Sequence, residues 1–168
     1  MTGLRYAYVD WAQGSRIERY ARDRREETMK RPKQILVALK EYEHAVELTD
    51  LACRVGTRGA TLLLVNVIEL PDVTPLDAEL PELEALAKKI LRAGERMARR
   101  SRLKTKTLVL RAHSAGAALL DELKERKIDL AILGYHHGRL GEAVFGSTAR
   151  HVAAQAPCRV LLSIPRLK

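Results

Sequence analysis

The sequence has 168 residues, of which 46% are hydrophobic and 30% are charged, a composition that excludes a disordered chain and fits one globular domain. The two cysteines, Cys53 and Cys158, lie in apolar stretches without CxxC spacing, which argues against a disulfide framework or a structural zinc site. No apolar run approaches the length of a membrane span, and the N-terminus has no signal-peptide pattern, so we expect a soluble, cytoplasmic protein.

Residues 1–33 differ from the rest in charge and in aromatic content. They contain nine Lys or Arg and five Asp or Glu, a net charge of +4 out of +9 for the whole chain. Four of the seven aromatic residues also lie here, Tyr6, Tyr8, Trp11 and Tyr20. We predict a basic N-terminal segment or linker that ends near Pro32. It is either a charged spacer or a segment that docks at a membrane or on a partner.

From residue 34 onward, short apolar runs alternate with helical stripes. A strand at residues 35–39 precedes a helix with its stripe at Leu48, Leu51, Ala52 and Val55. A strand at residues 61–68 precedes a helix with its stripe at Leu83, Leu86, Ala87, Ile90, Ala93 and Met97. A strand at 105–110 then precedes a helix that is capped by Ser114 and buries Leu119, Leu120 and Leu123. A strand at 128–133 precedes a glycine-rich loop and a helix with Ala149, Val152, Ala153 and Ala156 on one face, and residues 160–164 form the last strand.

This alternation predicts an α/β fold, a doubly wound, Rossmann-like, five-stranded parallel sheet with strand order 3-2-1-4-5. The third strand begins with polar, alternating residues, which suits a sheet edge. The last strand, Val160 to Leu162, is apolar although it ends the sheet. An uncovered apolar edge pairs readily with a second chain, so we expect a homodimer through this strand.

The glycine-rich loop is the segment most indicative of function. Gly134 and Gly138 lie in it, and Gly146 is followed by Ser147 and Thr148 at a helix start, where free backbone N–H groups can hold a phosphate. A turn with Ser147 as the helix cap is the alternative interpretation. The Gly-Lys-Ser/Thr ending of a P-loop is missing, so we do not expect an enzyme. Ligands of doubly wound sheets bind where the winding reverses, which would bring Ala38, Leu39 and Lys40 to this loop.

Three segments together resemble the universal stress protein family over residues 34–164. They are Ile128-Asp-Leu-Ala-Ile-Leu-Gly134, the Gly146-Ser-Thr turn and Ala156-Pro-Cys-Arg-Val-Leu-Leu162. The resemblance implies a domain at residues 34–168 with the five-stranded sheet and a dimer through the last strand. One branch of that family binds ATP or AMP through a Gly-x2-Gly-x9-Gly-Ser/Thr loop.

Position by position, the resemblance also implies nucleotide contacts. Adenine would meet the backbone of Ala38 and Val67. Ribose and phosphates would meet Leu133, Gly134, His136, Gly146, Ser147 and Thr148, and Mg would enter only with the nucleotide. Two features depart from the family pattern. Lys40 replaces an Asp and cannot accept a hydrogen bond, although it can reach a phosphate. The loop is one residue shorter, with His137 where the second glycine belongs.

A narrower similarity links this chain to universal stress domains that follow amino-acid permeases. It rests on Ala38-Leu-Lys-Glu-Tyr-Glu-His44, Val67-Ile-Glu-Leu-Pro71 and Thr74-Pro-Leu76. This similarity implies a membrane transporter as partner and a location at the cytoplasmic face of the membrane.

The leading hypothesis is therefore a regulatory domain that binds an adenine nucleotide. A nucleotide-free, dimeric interaction module is the first alternative, and a phosphotransferase with Glu142 as its acid is the second. Specific nucleic-acid binding is not expected, because no aromatic cluster accompanies the basic residues. His136 and His137 are adjacent and do not have metal-ligand spacing. Asp129 lies at the strand end far from the expected cleft and is predicted to be structural.

Overall fold

The computed structural model describes residues 31–134 and 146–163. The strands are β1 (Gln34–Ala38), β2 (Thr61–Glu69), β3 (Lys104–Ala112), β4 (Leu130–Gly134) and β5 (Arg159–Ser163). The helices are α1 (Tyr42–Val55), α2 (Pro81–Ala98), α3 (Ala115–Glu125) and α4 (Ser147–Gln155). The predicted order of strands and helices is confirmed.

The five strands form one sheet in the order β3-β2-β1-β4-β5, and every neighbouring pair is parallel. This confirms the predicted fold class and strand order. In the centre of the sheet, Leu36 of β1 pairs with Leu63 of β2 and with Ala131 of β4. The polar strand β3 is one edge, as predicted, and β5 is the other.

The core has two layers, one on each face of the sheet. Ile35 and Val37 pack with α1 and α2, whereas Leu36 packs with α3 and α4. All three side chains are at most 1% exposed. Covered faces on both sides explain why β1 is apolar without alternation.

Several details differ from the sequence prediction. β3 extends to Ala112, because it pairs along the whole of β2 up to Glu69. β4 begins at Leu130, after Ile128 and Asp129. Ala153, predicted on the buried face of α4, is exposed, because that short helix packs mainly through Ala149 and Val152.

Asp129 ties the amino ends of two strands together. Its Oδ2 accepts hydrogen bonds from the backbone N–H groups of Lys33, at 2.9 Å, and Gln34, at 2.8 Å. These bonds give the first two backbone N–H groups at the start of β1 a hydrogen-bond acceptor and support the structural role predicted for this carboxylate.

Residues 1–30 and the tail from 164 to 168 lie outside the described residues, so the boundary predicted at residue 33 stays a prediction. Among the helices that are described, none combines the length and the apolar character needed to cross a membrane.

Candidate functional site

A cleft of about 410 Å³ opens at the carboxyl ends of β1 and β4, where the winding of the sheet reverses. Ligand-binding clefts typically have this position and a volume of roughly 300–1,000 Å³. β1 and β2 form its floor, α2 one wall and the start of α4 the other.

The structure brings most of the predicted site residues to this cleft. Those lining it are Ala38, Leu39, Lys40, Val67, Leu133, Gly134, Gly146, Ser147 and Thr148. His136 and Gly138 lie outside the described residues, as do His137 and Glu142.

Asn66 fixes the end of β1 at the floor of the cleft. Its Nδ2 donates to the carbonyl oxygen of Leu39 at 2.7 Å, and the Leu39 N–H donates to Val65 O at 2.8 Å. Asn66 is only 5% exposed, so this bond forms in a low-dielectric environment, where it is costly to lose. It determines where the chain turns from Leu39 into Lys40 at the rim.

Gly134, at the end of β4, allows α1 to approach the floor. A Cβ at this position would lie 2.9 Å from Cδ1 of Leu48, closer than normal packing allows. Leu48 also lines the cleft. The glycine predicted for phosphate approach therefore also serves the packing of α1 on the sheet.

The start of α4 presents its backbone amides to the cleft. Gly146 is the N-cap, with φ −57°, and has no side chain that could cap the helix. The alternative in which Ser147 is the cap is wrong, because Ser147 is already the first helical residue. The first-turn N–H groups therefore have no side-chain partner among the described residues, and the helix dipole adds a partial positive charge. A Cβ built on Gly146 would meet no described atom within 4 Å. Such a helix start can hold an anion.

The opposite wall is apolar and comes from the first turns of α2. Leu83 and Leu86 were predicted to be on the buried face, but they are 42% and 50% exposed and line the cleft with Ala87 and Ile90. The predicted apolar stripe of α2 exists, but its N-terminal residues Leu83 and Leu86 face the cleft instead of the core.

Arg111 of β3 holds this wall in place. Its Nη1 donates to the carbonyl oxygens of Leu76, at 2.9 Å, and Ala78, at 2.8 Å. Its guanidinium also forms an ion pair with Glu84 of α2. The loop that leads into α2 is thereby tied to the edge strand.

Two acidic residues of the cleft, Glu69 and Glu41, were not predicted from the sequence. Glu69, at the end of β2, accepts a hydrogen bond from the N–H of Ala115 at 2.9 Å. It thus supports the start of α3 beside Ser114, which accepts from the Ala117 N–H as predicted. Glu41 lies at the rim with its carboxylate 3.6 Å from Nδ1 of His44. Glu69 directly follows the predicted strand 61–68, and Glu41 lies two residues after the predicted strand 35–39, a signal that could have identified them.

The two cysteines do not contribute to the cleft. Both are free thiols, and neither lines the cleft. Burial raises the pKa of Cys158 to about 11 and also raises the pKa of Cys53. A neutral thiol is a poor nucleophile. Within residues 31–134 and 146–163 no group of three or more His, Cys, Asp or Glu side chains could hold a metal ion.

The fold and the cleft define the protein as a doubly wound α/β domain with a candidate anion site at its switch point. The universal stress protein family pattern matches residues 32–163, and the chain belongs to that family.

Individual relatives agree with this assignment. The chain is 34% identical over 137 residues to a universal stress protein encoded 3′ of a QAH/OAS sulfhydrylase in Thermus aquaticus, covering 77% of this chain and 97% of the relative. Its fold is similar to the universal stress protein of Archaeoglobus fulgidus in complex with dAMP, with a TM-score of 0.55, 19% identity and coverage of 77% and 95%. It is also similar to a family member from Arabidopsis thaliana with AMP bound, with a TM-score of 0.57, 15% identity and coverage of 80% and 93%.

Proposed function

We propose that the protein is a regulatory domain that binds ATP or AMP in the switch-point cleft and does not itself catalyse a reaction. The observation that carries the proposal is the start of α4, where Gly146, Ser147 and Thr148 line the cleft and no side chain of the described residues caps the helix. Two relatives of the same fold were solved with AMP or dAMP, which supports an adenine nucleotide as the ligand.

The chemistry of the cleft fits the parts of a nucleotide. The apolar wall of Leu83 and Leu86 suits the face of a purine base, and the backbone around Ala38 and Val67 can meet its edge. The first-turn amides of α4 suit the phosphates, and the exposed Lys40 at the rim can add a positive charge. Any Mg would enter with the phosphates.

The two acids that the structure describes in the cleft support binding without catalysis, whereas Glu142 lies outside the described residues. Glu69 is engaged with the N–H of Ala115, and Glu41 lies beside His44 at the rim. A phosphotransferase needs a carboxylate positioned to activate a nucleophile or hold a metal. The site therefore fits a domain that binds a nucleotide and thereby changes its interaction with a partner protein.

A nucleotide-free interaction module of the same fold is the second candidate. The observation that favours it is the exposed apolar surface of Leu83 and Leu86. In either case we propose a cytoplasmic protein that acts as a homodimer, and an amino-acid transporter is the proposed target.

Calorimetric titration with ATP, ADP, AMP and cyclic AMP tests the proposal. We expect binding of at least one of them, and Gly146→Asp should weaken ATP binding at least tenfold, because its carboxylate repels the phosphates at the helix start. The added side chain meets no described atom, so the fold should persist.

Gly146→Asn is the matched control, since it has nearly the same shape without the charge. It should retain more affinity for ATP than Gly146→Asp. Absence of heat and of a thermal shift with all four nucleotides would favour the interaction module. Equal ATP affinity of Gly146→Asp and wild type would show that the phosphates do not bind at the start of α4.

A further inference from the structure

Charge is distributed very unevenly along the described domain. Residues 88–106 contain nine Lys or Arg and only one acid, Glu95, a net charge of +8. Residues 34–87 contain three Lys or Arg and ten Asp or Glu, a net charge of −7. The whole chain carries +9, so this separation is much larger than the overall charge indicates.

The fold converts this separation into two ends of opposite charge. α2 runs antiparallel to the strands, so its last turn lies at the amino end of the sheet, opposite the cleft. The loop that enters α2 from β2 lies at the cleft end and carries Asp72, Asp77 and Glu79, all exposed. The two ends are separated by roughly 16 Å, the length of a five-residue strand.

Among the exposed cations at the amino end, six on the side of β1, β2 and β3 form what we call the basic face: Lys33, Arg58, Arg99, Arg100, Arg102 and Lys104. Backbone hydrogen bonds hold their segments side by side. The Thr61 N–H donates to Lys33 O at 2.8 Å, the Gly59 N–H to Arg102 O at 2.9 Å, and the Lys104 N–H to Ala60 O at 2.8 Å. The face therefore combines the start of β1, the α1–β2 loop and the α2–β3 loop.

The charge of this face is not neutralised within the described part of the chain. None of its six cations forms an ion pair there. Asp129, an acid at the same end, accepts hydrogen bonds from the backbone N–H groups of Lys33 and Gln34. A cluster of like charges costs stability through self-repulsion, and an anionic partner removes that cost.

We propose that the basic face docks on an anionic phospholipid surface, which leaves the nucleotide cleft at the far end of the domain, directed away from the lipid. Clusters of about four to eight Lys or Arg are typical of segments that bind anionic lipid, at about 1 kcal/mol for each cation near the surface. The acidic cleft end would be repelled by the same surface, so the charge separation also sets the orientation.

Two observations favour lipid over nucleic acid. The face has no aromatic side chain for stacking bases; Tyr42, the aromatic residue of the described ranges, lies at the cleft end on α1. In addition, the chain enters the domain at this face through Lys33, and the sequence before it contains further Lys and Arg residues together with Tyr6, Tyr8 and Trp11. Aromatic residues among cations are typical of segments at a membrane interface.

Vesicle co-sedimentation of the full chain tests the proposal. Wild-type protein should bind vesicles of 70% phosphatidylcholine and 30% phosphatidylglycerol, should not bind pure phosphatidylcholine, and should dissociate in about 0.5 M salt. The triple variant Arg99→Gln, Arg100→Gln, Arg102→Gln should lower the partition coefficient roughly a hundredfold, as expected from three cations near the surface.

The matched control is Lys88→Gln, Lys89→Gln, Arg92→Gln, which removes the same number of charges from α2 itself, up to about 16 Å nearer the cleft. It should retain most of the binding. Equal losses of vesicle binding in the two triple variants would overturn the proposal. Full binding by the Arg99, Arg100, Arg102 variant would also overturn it and would assign the binding to residues 1–33. A duplex or single-stranded oligonucleotide that displaces the protein from vesicles through the same arginines would overturn it in favour of nucleic acid.

Discussion

At the scale of single residues, Gly94 determines how closely α2 packs on α1. A Cβ at Gly94 would lie 2.8 Å from Thr49 Oγ1 and 2.9 Å from Leu64 Cδ1. Alanine gains about 1 kcal/mol over glycine in a helix interior, but overpacking a core costs about 1–3 kcal/mol. We expect Gly94→Ala to lower the free energy of unfolding by about 1 kcal/mol, measured by urea denaturation.

Ala85→Gly in the same helix is the control for this substitution. Ala85 is exposed, so the change should report helix propensity alone, a loss of about 1 kcal/mol. A gain in stability from Gly94→Ala would show that the two helices have room to separate.

Some residues of the cleft could be predicted from the sequence, and others could not. Ala38, Lys40 and Gly146 could be placed in the cleft because a parallel sheet brings strand ends together. Asn66 could not, since a polar residue inside an apolar strand does not reveal that it will donate a hydrogen bond to Leu39 O, just after the neighbouring strand β1. Leu83 and Leu86 continue the apolar stripe of α2 in sequence, and only the position of the cleft shows that they are not covered.

At the scale of elements, the end of α3 is a Schellman motif with an unfavourable residue in it. The Ile128 N–H donates to Leu123 O at 3.1 Å, the Lys127 N–H donates to Lys124 O at 3.3 Å, and Lys127 has φ +50°. Glycine is preferred at this position because it has no Cβ. Lys127→Gly should therefore raise the free energy of unfolding by about 0.5–1 kcal/mol.

Lys127→Ala separates the backbone effect from the charge. It removes the same positive charge but keeps the Cβ, so its urea midpoint should not rise. Equal stabilisation by both substitutions would mean that relief of charge repulsion, and not backbone conformation, is the cause.

Elements were easier to predict than their ends. β1 is marked by an unbroken apolar run and α1 by its apolar stripe, and the alternation of strands and helices predicts parallel neighbours with right-handed crossovers. The ends depend on partners distant in sequence: β3 reaches Ala112 because β2 continues to Glu69, and α4 buries Ala149 and Val152 but not Ala153 because it is short and packs on one side.

At the scale of the whole molecule, the two sheet edges are chemically different. β3 begins with exposed Lys104 and Lys106, charges that discourage pairing with another strand. β5 presents Val160, Leu161 and Leu162, each half-buried in the single chain. This asymmetry supports the homodimer as a proposal in which only the β5 edge pairs with a second copy.

A lysine in β5 tests this arrangement. Val160→Lys should raise the dimer dissociation constant at least tenfold, because it places a charge, and its counterpart from the second copy, in an apolar contact. Light scattering coupled to size-exclusion chromatography measures the mass, and a thermal melt confirms that the monomer is folded.

Thr107→Lys, at an exposed position of the opposite edge strand, should leave the dimer intact. A wild-type protein that is monomeric at about 100 μM, or equal dissociation by both variants, would contradict pairing through β5, because the apolar edge would then have no partner in solution.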